Sequence, residues 1–243
     1  VISNDDKLIL FEKYESEYFF SAKCLEKIDP KVIVLSKIFR QHDPTFQSVL
    51  SSLRKGQDVE NALEYINSKC FCPNEAKSSG LTLTTRTAQA SEINDLKLAE
   101  IELDEHIFTA SIEGKYFTNK SDKALPSPLE LKIKVGARVI MSKNYKDLWV
   151  NGDLGTVTLV EENKILVKLD RGREANIHKE QWQHYRYIYN TETEKVEEEV
   201  VATFTQYPIR LGWAVTIHKS QGLTLENCTI DTGPFGAFLH GQV

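Results

Sequence analysis

Leu211-Gly-Trp-Ala-Val-Thr-Ile-His-Lys-Ser-Gln-Gly-Leu-Thr-Leu-Glu226 is the stretch of this 243-residue chain whose composition is hardest to explain by packing alone. Bulky apolar residues are interleaved with hydroxyl, imidazole, ammonium and amide side chains, and the run stops at Gly222. This pattern predicts a helix that ends in a polar loop and leads into a buried strand at 228–232. Thr216 and His218 offer donors suited to phosphate oxygens, which such side chains contact to set position rather than to read sequence. Gly222 allows a turn and a close approach of the main chain to a ligand.

The same stretch resembles motif V of superfamily 1 helicases of the Pif and RecD-like branch, in the string Thr216-Ile-His-Lys-Ser-Gln-Gly-Leu-Thr. The resemblance implies that Thr216 and His218 contact single-stranded DNA, with His218 as a hydrogen-bond donor rather than an acid or base. It also implies that Gln221 and Gly222 line an ATP cleft. The alternative explanation is a helix C-terminus capped by glycine, with no ligand at all.

A second stretch, Leu35-Ser-Lys-Ile-Phe-Arg-Gln-His-Asp-Pro44, follows an apolar run at 32–35 that predicts a strand. Asp43 and the proline after it predict the N-cap and first residue of a helix that Gly56 ends. The stretch resembles motif IV of the same family, in which an arginine, here Arg40, reaches the terminal phosphate of ATP as the catalytic residue. A guanidinium suits that role because it is planar, permanently charged and able to bind phosphate oxygens with two N–H groups. A surface arginine paired with Asp43 is the alternative.

A third stretch, Gly80-Leu-Thr-Leu-Thr-Thr-Arg-Thr87, predicts a strand followed by a helix with Thr87 as the N-cap. In the family, the matching junction carries hydroxyl groups that touch single-stranded DNA and an asparagine in the helix. The resemblance therefore implies DNA contacts from Thr84, Thr85 and Asn94. The family often has asparagine where this chain has Arg86, so the role of Arg86 stays open between phosphate contact and plain solvation.

From 127 onward the pattern changes to short strands separated by turns, predicted at 131–135, 137–141, 155–160, 165–169 and 175–177. Regularly spaced short strands with turn pairs such as Asn151-Gly152 are typical of a small β-barrel. The region resembles the Src-homology-type barrel that is inserted into the second motor domain of Pif and RecD-like helicases. That resemblance makes Lys143 and Asn144 candidate nucleic-acid contacts. Trp149 either stacks on a base or fills the mouth of the barrel.

Together these stretches predict an α/β fold, a RecA-like parallel-sheet motor domain with an inserted small Src-homology-type β-barrel. Residues 1–30 are expected to be a remnant of a first motor domain. Residues 31–126 and 199–243 would form the second RecA-like motor domain, which stops before motif VI, and residues 127–198 would form the inserted barrel.

The sequence contains no Gly-x-x-x-x-Gly-Lys-Ser/Thr phosphate loop, since Gly114-Lys115 lacks both the upstream glycine and the following hydroxyl. The resemblance implies that the full protein is an ATP-dependent DNA helicase that unwinds duplex from 5′ to 3′ and serves DNA repair or recombination. A missing N-terminal motor domain would hold ATP and magnesium, so this chain alone is expected to be inactive. Expected partners are that domain, single-stranded DNA and duplex junctions. The alternative is a nucleic-acid-binding or protein-interaction module that hydrolyses no ATP.

The charge of the chain limits how it can bind nucleic acid. A net charge of −5 argues against nonspecific binding over the whole surface, because affinity for DNA rests largely on phosphate neutralisation. Residues 119–148, however, carry seven Lys or Arg against three Asp or Glu, a local charge of +4. The sequence therefore leaves two explanations open for this segment, a basic groove and a solvated face.

Targeting signals and cysteines also bear on the class of protein. No apolar run approaches the roughly 20 residues that span a bilayer, and the N-terminus has no signal-peptide pattern. We therefore expect no membrane partner and a cytoplasmic, nuclear or mitochondrial rather than secreted protein. The four scattered cysteines predict reduced thiols and no metal site.

Overall fold

The computed structural model describes residues 11–16, 18–28, 30–35, 41, 43–70, 80–120, 124–190 (backbone only at 187–190), 195–223 (backbone only at 195–197), 225, 227–234 and 236–237. The chain divides into two compact units, residues 1–71 and 72–243. The predicted catalytic Arg40 lies outside the described residues. Within the described part, no helix has the length and apolar character needed to cross a membrane.

The described part of the first unit contains two short 3₁₀ helices, Phe19–Ser21 and Lys23–Glu26, followed by the α-helices α1 (Pro44–Lys55) and α2 (Val59–Cys70). The carboxylate of Asp43 caps α1 by accepting hydrogen bonds from the backbone N–H groups of Thr45 (2.8 Å) and Phe46 (3.3 Å). Gly56 ends the helix in the left-handed conformation, with a φ of 65°. The predicted helix and both of its caps are confirmed.

The strand predicted at 32–35 is wrong. These four apolar residues form no strand, and each is at least 79% exposed. A strand needs a hydrogen-bonded neighbour, and the described part of this unit contains no other strand to pair with. An apolar β-branched run is therefore not sufficient to make a strand here.

The second unit contains, in chain order, β1 (Leu81–Thr84), α3 (Thr87–Ala99), β2 (His106–Thr109), β3 (Ser111–Glu113), α4 (Lys115–Thr118), β4 (Glu130–Ile133), β5 (Arg138–Met141), β6 (Leu154–Val160), β7 (Ile165–Leu169), β8 (Glu174–Ile177), β9 (Glu180–Asn190), β10 (Lys195–Gln206), β11 (Ile209–Leu211), β12 (Ala214–Thr216), α5 (Ile217–Ser220) and β13 (Cys228–Asp231). Helix α3 begins at Thr87, so the N-cap is Arg86, one residue before the predicted cap.

A parallel sheet with the order β12-β1-β13 lies at the centre of the candidate site. This sheet and the helix α3 that packs on it confirm the predicted α/β character of the chain. The helix predicted over the start of the 211–226 stretch is wrong, because residues 214–216 form strand β12 and only 217–220 form a helical turn. The strand predicted at 228–232 is confirmed, but it is not buried, since Ile230 is 52% exposed.

The region of short strands forms an antiparallel sheet with the order β11-β5-β6-β7-β8. All five strands predicted between 131 and 177 are present with ends shifted by at most two residues. The first of them, β4, pairs with β2 instead of joining this sheet, and β11 takes the edge beside β5. Fully buried aliphatic side chains fill its core, among them Val139, Val157, Val167 and Ile177.

A long antiparallel hairpin joins this sheet to the segment that returns to β12. Strand β10 pairs with β9 over almost its whole length and also with β3. It runs without interruption through 198–199, where the sequence predicts the end of the barrel. Fully buried Gln206, at the end of β10, donates to the carbonyl oxygen of Phe108 (2.7 Å), and buried Ser127 donates to that of Tyr207 (2.8 Å). The first bond joins the two segments of the predicted motor domain, and the second joins the start of the predicted barrel segment to the chain that follows it.

Candidate nucleic-acid and nucleotide interface

The carboxyl ends of the three parallel strands bring polar residues from distant segments to one edge. Thr84 on β1 is in register with Thr216 on β12 and with Asp231 on β13. In the described residues, the chain leaves the sheet here at 85–86, 217–222 and 232–234. In open α/β sheets, ligands bind outside the carboxyl ends of the strands. This edge is therefore the candidate site.

The hydroxyl groups of Thr84 and Thr85 lie inside the protein. The two residues are 0% and 2% exposed. The Thr84 hydroxyl donates to the carbonyl oxygen of Arg86 (3.0 Å), whereas the Thr85 hydroxyl lies 3.3 Å from the carbonyl oxygen of Thr232 and 3.2 Å from that of Gly236. In this conformation, the two predicted DNA contacts therefore hold the edge together rather than face the solvent.

The side chain of Asn94 also bonds within the protein. Its Nδ2 donates to the carbonyl oxygen of Ala214 (2.8 Å), and its Oδ1 accepts from the N–H groups of Ala214 (2.9 Å) and Trp213 (3.1 Å). Helix α3 is thereby fixed to β12 just before Thr216. The geometry gives Asn94 a role in positioning this strand. The DNA contact that the resemblance implies for Asn94 stays a prediction.

The loop after β12 presents its polar side chains outward. Thr216 is 7% exposed, whereas His218, Lys219, Gln221 and Gly222 are all exposed. The backbone of Gly222 has a φ of 86°, and a Cβ added there would meet nothing within 4 Å apart from its chain neighbours. The structure thus brings the four predicted residues of this string together, and it adds Lys219 as an exposed cation among them.

Lys143 and Asn144, the predicted contacts in the antiparallel region, are engaged in hydrogen bonds within the protein. The Lys143 ammonium donates to the carboxylate of Glu180 (2.8 Å), and the Asn144 Oδ1 accepts from the backbone N–H of Asn151 (2.7 Å). Trp149 is 3% exposed and donates from Nε1 to the carbonyl oxygen of Lys143 (3.1 Å). Of the two explanations for Trp149, filling the core is therefore the one that the structure supports.

A cleft of about 250 Å³ borders the same edge and includes residues that the sequence reasoning missed. Its polar lining comes from four separate elements: Thr87, Ser91, Asn94 and Asp95 of α3, Glu130 and Lys132 of β4, Arg210 of β11, and Thr216 and Lys219 of the β12–α5 segment. Asn94 and Thr216 are predicted site residues. Among the other charged residues, Lys132 belongs to the locally basic stretch and Lys219 to the string that begins at Thr216. Three cations and two carboxylates, with hydroxyl groups between them, could bind a ligand that carries both phosphate and hydroxyl or amino groups.

Known proteins similar to this chain are helicases, although no protein-family model matches it. The ATP-dependent DNA helicase Pif1 of Bdellovibrio bacteriovorus is 32% identical over 203 residues, 83% of this chain and 44% of that protein. A crystal structure of Bacteroides Pif1 in complex with ADP-AlF4 is 30% identical, with a TM-score of 0.73, over 97% of this chain and 54% of that one. Bacteroides Pif1 in complex with ADP-AlF3 and ssDNA is 31% identical, with a TM-score of 0.64, over 100% and 55%. The chain spans about half the length of the relatives it matches.

Proposed function

This chain is homologous to Pif1 DNA helicases over most of its length, and we propose that it forms the second motor domain of an ATP-dependent DNA helicase. The observation that carries the proposal is the position of one sequence string. Thr216, His218, Gln221 and Gly222 lie together at the carboxyl end of a strand in a parallel sheet. Such an edge is where α/β proteins bind nucleotides and other phosphate ligands.

For DNA, the proposal assigns direct contacts to the exposed part of this edge. His218 and Lys219 would donate to phosphate oxygens of a single strand, and Thr216 would contribute a hydroxyl at the base of the loop. Thr84, Thr85 and Asn94 would shape the edge from within, as their hydrogen bonds suggest. The single-stranded DNA would continue from the loop into the cleft that Thr216 lines together with Lys132 and Arg210.

For ATP, the proposal assigns one wall of the cleft to this chain. Gln221 and Gly222 fit such a wall because the turn is exposed, polar and open around the glycine. Arg40 would bind the terminal phosphate, and magnesium would be held by a first motor domain. The cycle of ATP binding, hydrolysis and product release would supply the free energy for translocation. A shift of Gln221 and Gly222 on nucleotide binding would also move Thr216 and His218, because all four residues belong to the same short segment.

The finer parts of the proposal rest on the resemblance of the sequence. They are translocation from 5′ to 3′, unwinding at duplex junctions, a role in repair or recombination, and a compartment that holds DNA. The antiparallel sheet β11-β5-β6-β7-β8 would correspond to the inserted Src-homology-type barrel. Lys143 and Asn144 would then lie near DNA without being its main contacts, because both are bonded within the protein.

The experiment is fluorescence anisotropy of a labelled oligo-dT strand with this chain, over a series of salt concentrations. We expect binding that weakens as salt increases, since phosphate contacts release counterions. His218→Ala should weaken binding by about fivefold to tenfold, because it removes one hydrogen bond to a phosphate oxygen. His178→Ala is the matched control, because His178 is also exposed but follows β8 of the antiparallel sheet.

Two results would count against the proposal. Equal weakening by both histidine substitutions would show that His218 makes no specific contact. Absence of any salt-dependent binding would show that this chain alone does not bind single-stranded DNA through its phosphates. In parallel, we expect no ATP hydrolysis by the chain alone, because its sequence has no phosphate loop.

A further inference from the structure

The exposed loop 218–222 is held between two apolar residues, Ile217 on one side and Leu223 on the other. Both pack against a small core that includes Leu83 of β1 and Val215 of β12. Between them, the backbone N–H of Leu223 donates to the carbonyl oxygen of Ser220 (3.0 Å). The position of the polar side chains therefore depends on where these two apolar residues are seated.

Leu223 is seated on a glycine of the antiparallel region. A Cβ added at Gly152 would lie 2.0 Å from Cδ2 of Leu223 and 3.0 Å from its Cγ. Gly152 also has a φ of +95°, in a region that residues with a side chain rarely adopt. The β5–β6 turn thus has a notch where Gly152 lacks a side chain, and the side chain of Leu223 fills it.

The turn that carries the notch is fixed by its own hydrogen bonds. Asn144 Oδ1 accepts from the N–H of Asn151 (2.7 Å), and the N–H of Gly152 donates to the carbonyl oxygen of Met141 (2.8 Å). The buried carboxylate of Asp153 accepts from the N–H of Val150 (3.0 Å). Since hydrogen bonds restrain both ends and the middle of the turn, its backbone holds Gly152 in a fixed position against Leu223.

We propose that the 150–153 turn is a positioning element for the 218–222 loop, and that it acts through the seating of Leu223 on Gly152. Asn144 is then a positioning residue that holds the turn, not a ligand of nucleic acid. The antiparallel sheet is linked in this way to the loop that carries His218 and Gln221. The consequence for DNA binding rests on the function proposed above, whereas the seating itself does not.

The first test is hydrogen exchange of the ligand-free chain, read by mass spectrometry on peptides that cover 211–225. In Leu223→Ala, the loop amides should exchange at least about tenfold faster, because the free energy of local opening no longer includes the loss of the Leu223 contact. Leu223→Met should restore slow exchange, since it conserves volume. Leu225→Ala is the matched control, because Leu225 packs on the same small core. We expect it to leave the loop amides unchanged, as should peptides that cover β7.

The second test uses Asn144, which is exposed, so that its substitution leaves the core intact even if Leu223→Ala fails to fold. Asn144→Ala should also accelerate exchange in the loop, whereas exposed Asn176→Ala should not. Asn144→Asp keeps the oxygen that accepts from Asn151 but adds a negative charge. A positioning residue tolerates this change, with oligo-dT affinity within about twofold of the original chain, whereas a phosphate ligand would lose most of its binding.

The outcomes separate this inference from the proposed function. Unchanged loop exchange in both Leu223→Ala and Asn144→Ala would overturn the positioning role. Loss of oligo-dT binding in Asn144→Asp with normal loop exchange would overturn it too, since Asn144 would then contact phosphate itself. Faster exchange in both variants would support the positioning role. A failure of the original chain to bind oligo-dT would count against the proposed function and not against the positioning role.

Discussion

The carboxamide of Asn94 pairs with the peptide groups around Ala214 as a neighbouring strand would. It donates to the carbonyl oxygen of Ala214 (2.8 Å) and accepts from the N–H of the same residue (2.9 Å). Strand β12 has only three residues and pairs with β1 on one side. Asn94 satisfies backbone groups on the side that no strand in the described part of the chain covers. A helix side chain thereby completes the sheet just before the candidate loop.

We therefore expect Asn94→Ala to lower the free energy of unfolding by about 2 to 3 kcal/mol, because it leaves part-buried backbone groups without partners. Urea unfolding followed by circular dichroism measures this. Asn94→Asp keeps one acceptor but places a second carboxylate oxygen opposite the carbonyl oxygen of Ala214, so it should also lower the free energy of unfolding. Exposed Asn176→Ala is the control and should stay within about 0.5 kcal/mol. Equal effects of the two alanine variants would contradict the assigned role.

The hydroxyl of Thr85 should matter for stability rather than for DNA affinity. Thr85→Val keeps the shape and removes the donor that reaches the carbonyl oxygens of Thr232 and Gly236. We expect a loss of about 1 kcal/mol in the free energy of unfolding, with Thr85→Ser close to the original chain. Oligo-dT affinity should change much less than in His218→Ala. A loss of affinity without a loss of stability would instead restore Thr85 as a direct contact.

The sequence predicts the antiparallel region better than the candidate site, for physical reasons. Strands β7 and β8 and the first half of β6 alternate buried residues with more exposed ones, and the strands are separated by short turns, so the signal is local. The apolar positions Trp213, Val215 and Ile217 also have a period of two, which indicates a strand, but three residues are too few to outweigh the polar helical turn that follows. The partner of Ala214 lies 120 residues away in sequence, and no local pattern reports it.

Strand β10 extends across the boundary predicted at 198/199, and a related reason applies to this strand. The acidic stretch 191–199 predicts a solvated hairpin or loop, and residues 195–199 belong to strand β10 of a hairpin, where pairing with β9 supplies the backbone hydrogen bonds. Charged residues are tolerated in a hairpin strand whose face is open to water. Arg186 pairs with Glu199 across the two strands (3.1 Å), so opposite charges face each other in the register.

Alkaline pH should destabilise the second unit through Tyr207. Burial raises the pKa of its phenol above the ordinary value of 10.0. The folded protein then holds the proton more tightly than the unfolded chain, so stability is unaffected well below pH 10 and falls as pH rises beyond it. Tyr207→Phe should flatten the fall in the free energy of unfolding between about pH 9 and 11. Tyr185→Phe, at an exposed tyrosine of β9, should leave the slope unchanged. Identical slopes for both variants would refute the assignment to Tyr207.

Trp149 offers a direct choice between a core residue and a base-stacking residue. Its indole is buried, stacks on Tyr145 with ring centroids 4.7 Å apart and donates to the carbonyl oxygen of Lys143. Trp149→Phe keeps an aromatic ring but loses the N–H and some volume. We expect it to cost about 1 to 3 kcal/mol of unfolding free energy, measured by urea unfolding, and to leave the oligo-dT affinity of the folded chain unchanged. A side chain that stays in this packing cannot reach a base. A tenfold weaker oligo-dT affinity of Trp149→Phe at unaltered stability would therefore mean that the indole leaves the core and stacks on a base.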